Sequence, residues 1–445
     1  MTASPSASPG PHGSDPLVDA LLGYIDASPT PYHAVAAAAS RLVDAGFTEL
    51  DRTGAWPEEP GRWFTIDGGA LVAWSAGEHV APHAPCRIVG AHTDSPNLRV
   101  KARPDTGRAG WRQVAVEVYG GALVNSWLDR DLGLAGRLTV KDSESDTGYS
   151  THLVRVDRPL LRVPQLAIHL DREINDKGLH LNRQNHLVPV MGLGTPSSGD
   201  LLELVASVAE VSPGTVLGWD LMLHDTVPST VAGADHELIF APRLDNLLSC
   251  LAGVEALIAA ADHPDDGRVQ VVSLFDHEEV GSTSATGAAS TLLTQALERQ
   301  NLARGGDRSD LLRSLAGSVC ASADMAHATH PNYVDRHEPG HHIALDGGPV
   351  IKINANQRYA SDATSIAAFQ LACDEAEVPV QRYIHRTDMA CGSTIGPMTA
   401  AGLAVPTVDV GVAQLSMHSI RELTGTRDLG HMVAALEAFL APGTR

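Results

Sequence analysis

Val271-Val272-Ser273-Leu274-Phe275-Asp276-His277-Glu278-Glu279-Val280-Gly281 is the stretch on which the fold and the chemistry turn. An apolar run of strand character ends in four consecutive ionisable residues. Small and hydroxylated residues follow, from Ser282 to Gly287. Carboxylates at the end of a buried strand are costly to desolvate unless positive charge meets them. No Lys or Arg lies between Arg268 and Arg299, which points to a metal ion. Neighbouring residues on an extended or turning backbone face different ways. Glu278 and Glu279 are therefore expected to divide the work, one binding metal and the other facing substrate or water.

The same pattern recurs outward from this stretch. Arg87-Ile88-Val89-Gly90-Ala91 reads as a buried strand ending in His92-Thr93-Asp94-Ser95-Pro96. Ser318 to Ala323 is a small-residue strand ending in Asp324. Thr407-Val408-Asp409-Val410 reads as a last strand whose loop reaches His418. Asp245 stands at the start of an amphipathic helix that runs to about Ala261. Helices are expected from the Asp15-Pro16 cap, over 34–45, near 287–299, over 361–377 and over 428–440. Trp63 to Trp74, with Asp67-Gly68-Gly69 at its centre, reads as a hairpin. Alternating β and α units predict an α/β fold, a mostly parallel sheet with helices on both faces. Ligands then collect at the carboxyl ends of the strands.

Between about 101 and 232 the texture changes. Pro and Gly are frequent, and Trp111 to Tyr119, 137–140 and 152–156 alternate as strands do. A mostly β insertion is expected there, with one helix near 199–210. It splits a catalytic domain into residues 14–100 and 233–445. Residues 1–13, mostly Ser, Pro, Ala and Gly, read as a disordered tail.

His92, Asp245, Glu279, Asp324 and His418 form a set of two imidazoles and three carboxylates without cysteine. Such donors suit zinc, with manganese or cobalt possible, in a paired site where one carboxylate bridges two ions. Glu278, left unligated beside a ligand, is the expected general base. Asp94 is placed to hold the second nitrogen of His92. The hydroxyls of Ser282, Thr283 and Ser284 read as helix caps.

With 445 residues, 32 Lys plus Arg and 53 Asp plus Glu, the formal net charge is -21. Nucleic-acid binding needs a basic face and is not expected. No apolar segment approaches the ~20 residues that span a bilayer, so no membrane partner is expected. The five cysteines are scattered without CxxC spacing, which predicts free thiols and a cytoplasmic location.

Gly90 to Pro96, Arg243-Leu244-Asp245-Asn246, Asp276 to Ser282, Ser322 to Ala328, Gln357-Arg358-Tyr359-Ala360, Cys391 to Pro397 and Met417 to Glu422 together resemble the aspartyl aminopeptidase family. The resemblance runs in order from about Ser28 to the C-terminus. It implies a two-zinc aminopeptidase: one ion on His92 and Asp324, the other on Glu279 and His418, with Asp245 bridging. It implies peptide substrates with acidic N-terminal residues, and a tetrahedral homo-dodecamer built through the insertion. His169 would reach a neighbouring subunit's site. Lys352 would be the cation meeting the acidic side chain, with Arg358 and Tyr359 as a second pair for substrate contact. Gly392, with Ser393, Thr394 and Gly396, would offer backbone N–H groups to substrate. A broad-specificity aminopeptidase, a two-metal phosphatase or amidohydrolase, and a non-catalytic assembly or peptide-binding homologue are the competing readings.

Overall fold

The computed structural model describes residues 15–263 and 267–443, so the tail expected over 1–13 lies outside the described residues. Nine strands form the main sheet, in the order Thr48–Glu49, Gly61–Asp67, Ala70–Ala76, Val269–Phe275, Cys86–His92, Val319–Ala323, Thr407–Gly411, Val350–Ile353 and Gln381–Ile384. The four central strands, from Val269–Phe275 to Thr407–Gly411, run parallel. Antiparallel partners flank them on both sides. Three of the four are buried along their whole length, the environment that lets a strand be apolar without alternation.

Helices cover both faces. Pro16–Ala27, Pro31–Asp44, Leu244–Ala261, Ala363–Glu375 and Asp428–Leu440 pack on one side. Leu292–Ala303, Arg308–Gly317 and Ile395–Leu403 pack on the other. Alternate residues of a strand serve opposite faces: Val89 and Ala91 join the first core, Ile88 the second. Asp15 caps the first helix by accepting the Leu17 N–H at 2.9 Å, with Pro16 at its first position. The Leu244–Ala261 helix is 18 residues long and apolar enough to match a membrane span by composition, contrary to the expectation that no segment comes near that length. It is 83% buried as the central helix of the first core. The helix expected near 287–299 begins later, at Leu292. Ser282 and Ser284 do not cap it; Ser284 instead hydrogen-bonds the His277 imidazole at 2.8 Å.

A second, six-stranded sheet is antiparallel throughout, in the order Tyr149–Leu161, Leu132–Lys141, Val216–Asp225, Asn97–Arg108, Trp111–Tyr119 and Val190–Leu193. It has its own apolar core, onto which the Asp200–Val208 helix packs. This is the β insertion. Its Asn97–Arg108 strand runs through residue 100 and so continues directly from the catalytic part of the chain. A third sheet has five strands, in the order Thr230–Ala232, Leu238–Ala241, Glu422–Gly425, Ala413–Leu415 and Ala326–His327.

Candidate metal centre

Strand register brings the ionisable residues together. Phe275 pairs with His92 in the parallel ladder, and Thr93 N–H bonds the Phe275 carbonyl at 2.8 Å. Asp324 directly follows the Val319–Ala323 strand and bonds the Val410 carbonyl at 2.9 Å. His418 arrives by a different route from the one expected. After Gly411 the chain enters the small sheet at Ala413–Leu415, and His418 follows with φ +67°. Asp245 lies in the first turn of the Leu244–Ala261 helix, where it and Asn246 depart from helical geometry. Ser95 donates to the Asp245 carbonyl at 2.8 Å, fixing that departure.

Three groups of side chains converge closely enough to hold a metal ion: His92 with Asp245 and Asp324, Asp245 with Glu279 and His418, and His92 with Glu278 and Glu279. His92 Nε2 lies 3.4 Å from Asp245 Oδ1 and 3.7 Å from Asp324 Oδ1. His418 Nε2 lies 3.2 Å from Asp245 Oδ2 and 3.1 Å from Glu279 Oε1. The two oxygens of Asp245 thus face two different imidazoles.

The donor set fits divalent metal. Asp245 Oδ1 and Glu279 Oε1 are buried with no hydrogen-bond donor. Asp94, Asp245, Glu278, Glu279, Asp324 and Glu422 crowd around two imidazoles and the Lys352 ammonium. The electrostatics record that surplus. Burial, followed by the Asp324 and Glu279 charges, pushes Glu278 up to about 9 against the pull of His92. Burial pushes Glu279 up to about 7 against the pull of His418. Burial opposes charging of His418, but Asp245 and Glu279 lift it to about 12. Burial likewise opposes charging of His92, and Asp245, Asp324 and Asp94 lift it well above its ordinary value. Divalent cations are what such a pocket needs.

Two further carboxylates hold the arrangement from behind. Asp94, fully buried, accepts the backbone N–H groups of Glu278 at 3.0 Å and Glu279 at 3.1 Å, and the Tyr119 hydroxyl at 2.6 Å. His92 Nδ1 lies 3.0 Å from the Asp94 backbone carbonyl oxygen and 3.4 Å from Asp94 Oδ1. Glu422 accepts the backbone N–H of Asp245 at 3.0 Å and of His418 at 2.7 Å. Sequence reasoning misses Glu422, because a carboxylate four residues after a histidine is a common surface pattern. Asp276 shapes the turn by accepting the His277 N–H at 2.8 Å, and His277 takes φ +63°.

The expected substrate residues fall in several environments. Lys352 is 2% exposed; its ammonium donates to the Met325 carbonyl at 3.1 Å, faces Asp324 Oδ2 at 3.6 Å and lies over the Tyr359 ring at 5.3 Å. Tyr359 is buried beneath it rather than open to the surface. Arg358 is exposed and donates from Nε to the Cys391 and Gly392 carbonyls at 3.2 and 3.4 Å. Gly392 is exposed, while the Gly396 N–H is taken by Thr394 Oγ1 as a helix cap. His169 is exposed on a short turn, Ile168–Leu170, and belongs to none of the three ligand groups.

The family model described as "Aminopeptidase I zinc metalloprotease (M18)" matches residues 24–440. The chain belongs to the M18 family of zinc aminopeptidases. Among its relatives, the probable M18 family aminopeptidase 2 of Streptomyces coelicolor is 54% identical over 426 residues, covering 95% of this chain and 97% of that one. The fold matches the chain in the cryo-EM structure of the Ape4 and Nbr1 complex with TM-score 0.91 and 37% identity, over 96% of this chain and 85% of that one. It matches the S. cerevesiae mApe1 dodecamer with TM-score 0.84 and 29% identity, over 95% and 96%. All five cysteines of this M18 chain are free.

Proposed function

We propose that the chain is a two-zinc aminopeptidase that prefers acidic N-terminal residues and works as a homo-dodecamer, with tetrahedral symmetry, in the cytoplasm. The observation that carries the two-ion part is that the two ligand groups share Asp245 through its two oxygens. His92 and Asp324 would hold one ion, Glu279 and His418 the other, and Asp245 both; manganese or cobalt would suit the same donors. When bound, the ions supply an activated water and polarise the scissile carbonyl.

Glu278 is the base in this reading. Its neighbour Glu279 is engaged by His418, whereas Glu278 stands beside His92 in the third group. Its place among the ligands suits a carboxylate that takes up a proton and returns it to the leaving amine. Asp94 orients His92 and fixes the turn that aims Glu278. The dodecamer is supported by the likeness to the mApe1 assembly, and by Leu166, Ile168 and Leu170 standing exposed around His169. In that assembly His169 would complete a neighbour's site.

The acidic preference is assigned to Lys352, with Arg358 beside the exposed Gly392 as a further contact. A second reading, broad specificity, is favoured by one observation: the Lys352 ammonium already faces Asp324 and bonds Met325. A panel of glutamyl, aspartyl and leucyl p-nitroanilides separates the two, the first predicting at least tenfold higher kcat/KM for the acidic pair. Chelation should abolish turnover and zinc restore it. Glu278→Gln should keep two metal equivalents and lose turnover by about 10²-fold or more. Full activity of Glu278→Gln would remove it from the reaction.

A further inference from the structure

Glu422 is 3% exposed, on the first residue of the Glu422–Gly425 strand in the small sheet. Each of its oxygens takes a backbone N–H from a ligand-bearing segment. Oε2 takes that of Asp245, 177 positions away in sequence, and Oε1 that of His418. Gln414 Nε2 approaches Oε1 at 3.5 Å. Neither Asp245 nor His418 sits on the parallel strands that fix His92 and Asp324. Asp245 lies in an irregular helix start, and His418 has a left-handed backbone in a loop. Both segments therefore depend on a bond from outside themselves for their position, and one carboxylate supplies it to both.

Asp94 makes the same kind of double bond to Glu278 and Glu279. Between them, the two carboxylates anchor the backbone of all three members of the Asp245–Glu279–His418 group. The His92–Asp245–Asp324 group has two of its three members on central strand ends.

We propose that Glu422 is a positioning residue that fixes Asp245 against His418 and so sets the strength with which the Asp245–Glu279–His418 group holds its ion. The inference rests on the two-ion reading. A Glu422 amide in place of the carboxylate offers one acceptor oxygen to two N–H groups and turns an NH₂ towards the other. Supporting groups of this kind change metal affinity by about 10–100-fold.

The test is stepwise uptake of cobalt chloride by the metal-free full-length protein, followed by visible absorption and calorimetry, for wild type, Glu422→Gln and Glu422→Asp. Wild type is expected to take two equivalents in distinguishable steps. In Glu422→Gln one step, that of the Asp245–Glu279–His418 group, should fall at least tenfold, and the other, which shares only Asp245 with it, should fall less. Glu422→Asp keeps the charge but not the reach, and should lie between. A purely structural carboxylate would lower the Tm and leave both steps as in wild type; that result in either folded variant overturns the inference. A wild type that takes a single equivalent overturns the two-ion reading itself.

Discussion

Asp94→Asn is the sharpest probe of how the site is held. The Asp94 carboxylate receives the Tyr119 hydroxyl and the Glu279 N–H on Oδ2, and the Glu278 N–H on Oδ1, where it also faces His92. An asparagine keeps one oxygen and turns an NH₂ towards the other set. Whichever way the amide settles, one backbone N–H of Glu278 or Glu279 meets a donor. An orphaned buried donor costs about 1–3 kcal/mol, and hydrogen bonds to a charged acceptor contribute about 1.5–3 kcal/mol each. The turn carrying both glutamates then loosens, and the His92 imidazole loses its anionic neighbour. The expected outcome is a fall of about 10–100-fold in kcat/KM with reduced metal content. Tyr119→Phe is the graded control. It removes one donor and leaves both backbone bonds, so its loss should stay within about tenfold. The assay is kcat/KM on an aminoacyl p-nitroanilide, with metal content measured on the same preparations. Wild-type kinetics and metal content in Asp94→Asn, or a larger loss in Tyr119→Phe, would refute the reasoning.

Gly121 approaches the metal centre so closely that an added Cβ would sit 3.1 Å from His418 Nδ1. Gly121→Ala should displace that imidazole by tenths of an ångström and cut kcat/KM at least tenfold, with the Tm of the metal-free protein little changed; unaltered kinetics would show that the ring has room. Lys352→Met should lower turnover of leucyl substrates, since Asp324 loses its cation, and lower glutamyl turnover at least tenfold further; a ratio of losses near one removes Lys352 from specificity. Burial holds His33 and His224 down at about 4, against 6.5 when solvated. Between those values the unfolded chain binds more protons than the folded one. The contribution of these two imidazoles is therefore complete above about pH 6.5 and declines as pH falls towards 4, by up to about 1.4 kcal/mol per pH unit for each. Glu278 and Glu279, held up at about 9 and 7, act in the opposite sense, so the readout is a difference between proteins. The Tm of a metal-free His33→Gln/His224→Gln double variant should gain on that of wild type as pH falls from 7 to 5, and an unchanged difference would remove the two imidazoles from the pH dependence.

The parallel sheet is legible because buried strands are written largely as apolar runs, and three of the four parallel ones here stop at an ionisable residue, Asp276, His92 or Asp324. His92, Glu279 and Asp324 can be placed at one edge from that pattern alone. The Arg308–Gly317 and Ile395–Leu403 helices are not legible in the same way. The first is polar on its outer side and announced chiefly by its Asp307–Asp310 capping box. The second opens with Gly396 and Pro397, residues that read as a turn. The environment of Lys352 is equally hidden. A lysine in the strand Val350–Ile353 reads as a cation available to substrate, whereas Asp324 and the Met325 carbonyl reach it across the sheet from a segment 27 positions away. Pairings between distant segments leave no periodic trace, so Glu422 looks like any other acid.

The two halves of the metal centre are built by different means. His92 and Asp324 follow from strand register in the catalytic sheet. The Glu279 and His418 half is overlain by the chain leaving the insertion's Trp111–Tyr119 strand. Tyr119 bonds Asp94, an added Cβ on Gly120 would meet Glu279 Cβ at 3.0 Å, and Leu123 N–H bonds the His418 carbonyl at 3.0 Å. Ser126 Oγ then accepts the Ile420 N–H at 3.0 Å. Only glycine permits such an approach at 120, where φ is +70°. The insertion is thus part of the wall of its own chain's site. A shift of its sheet would move Glu279 and His418 directly, and would reach His92 through Tyr119 and Asp94. Any packing of subunits through the insertion would therefore bear on both ligand groups, which share Asp245.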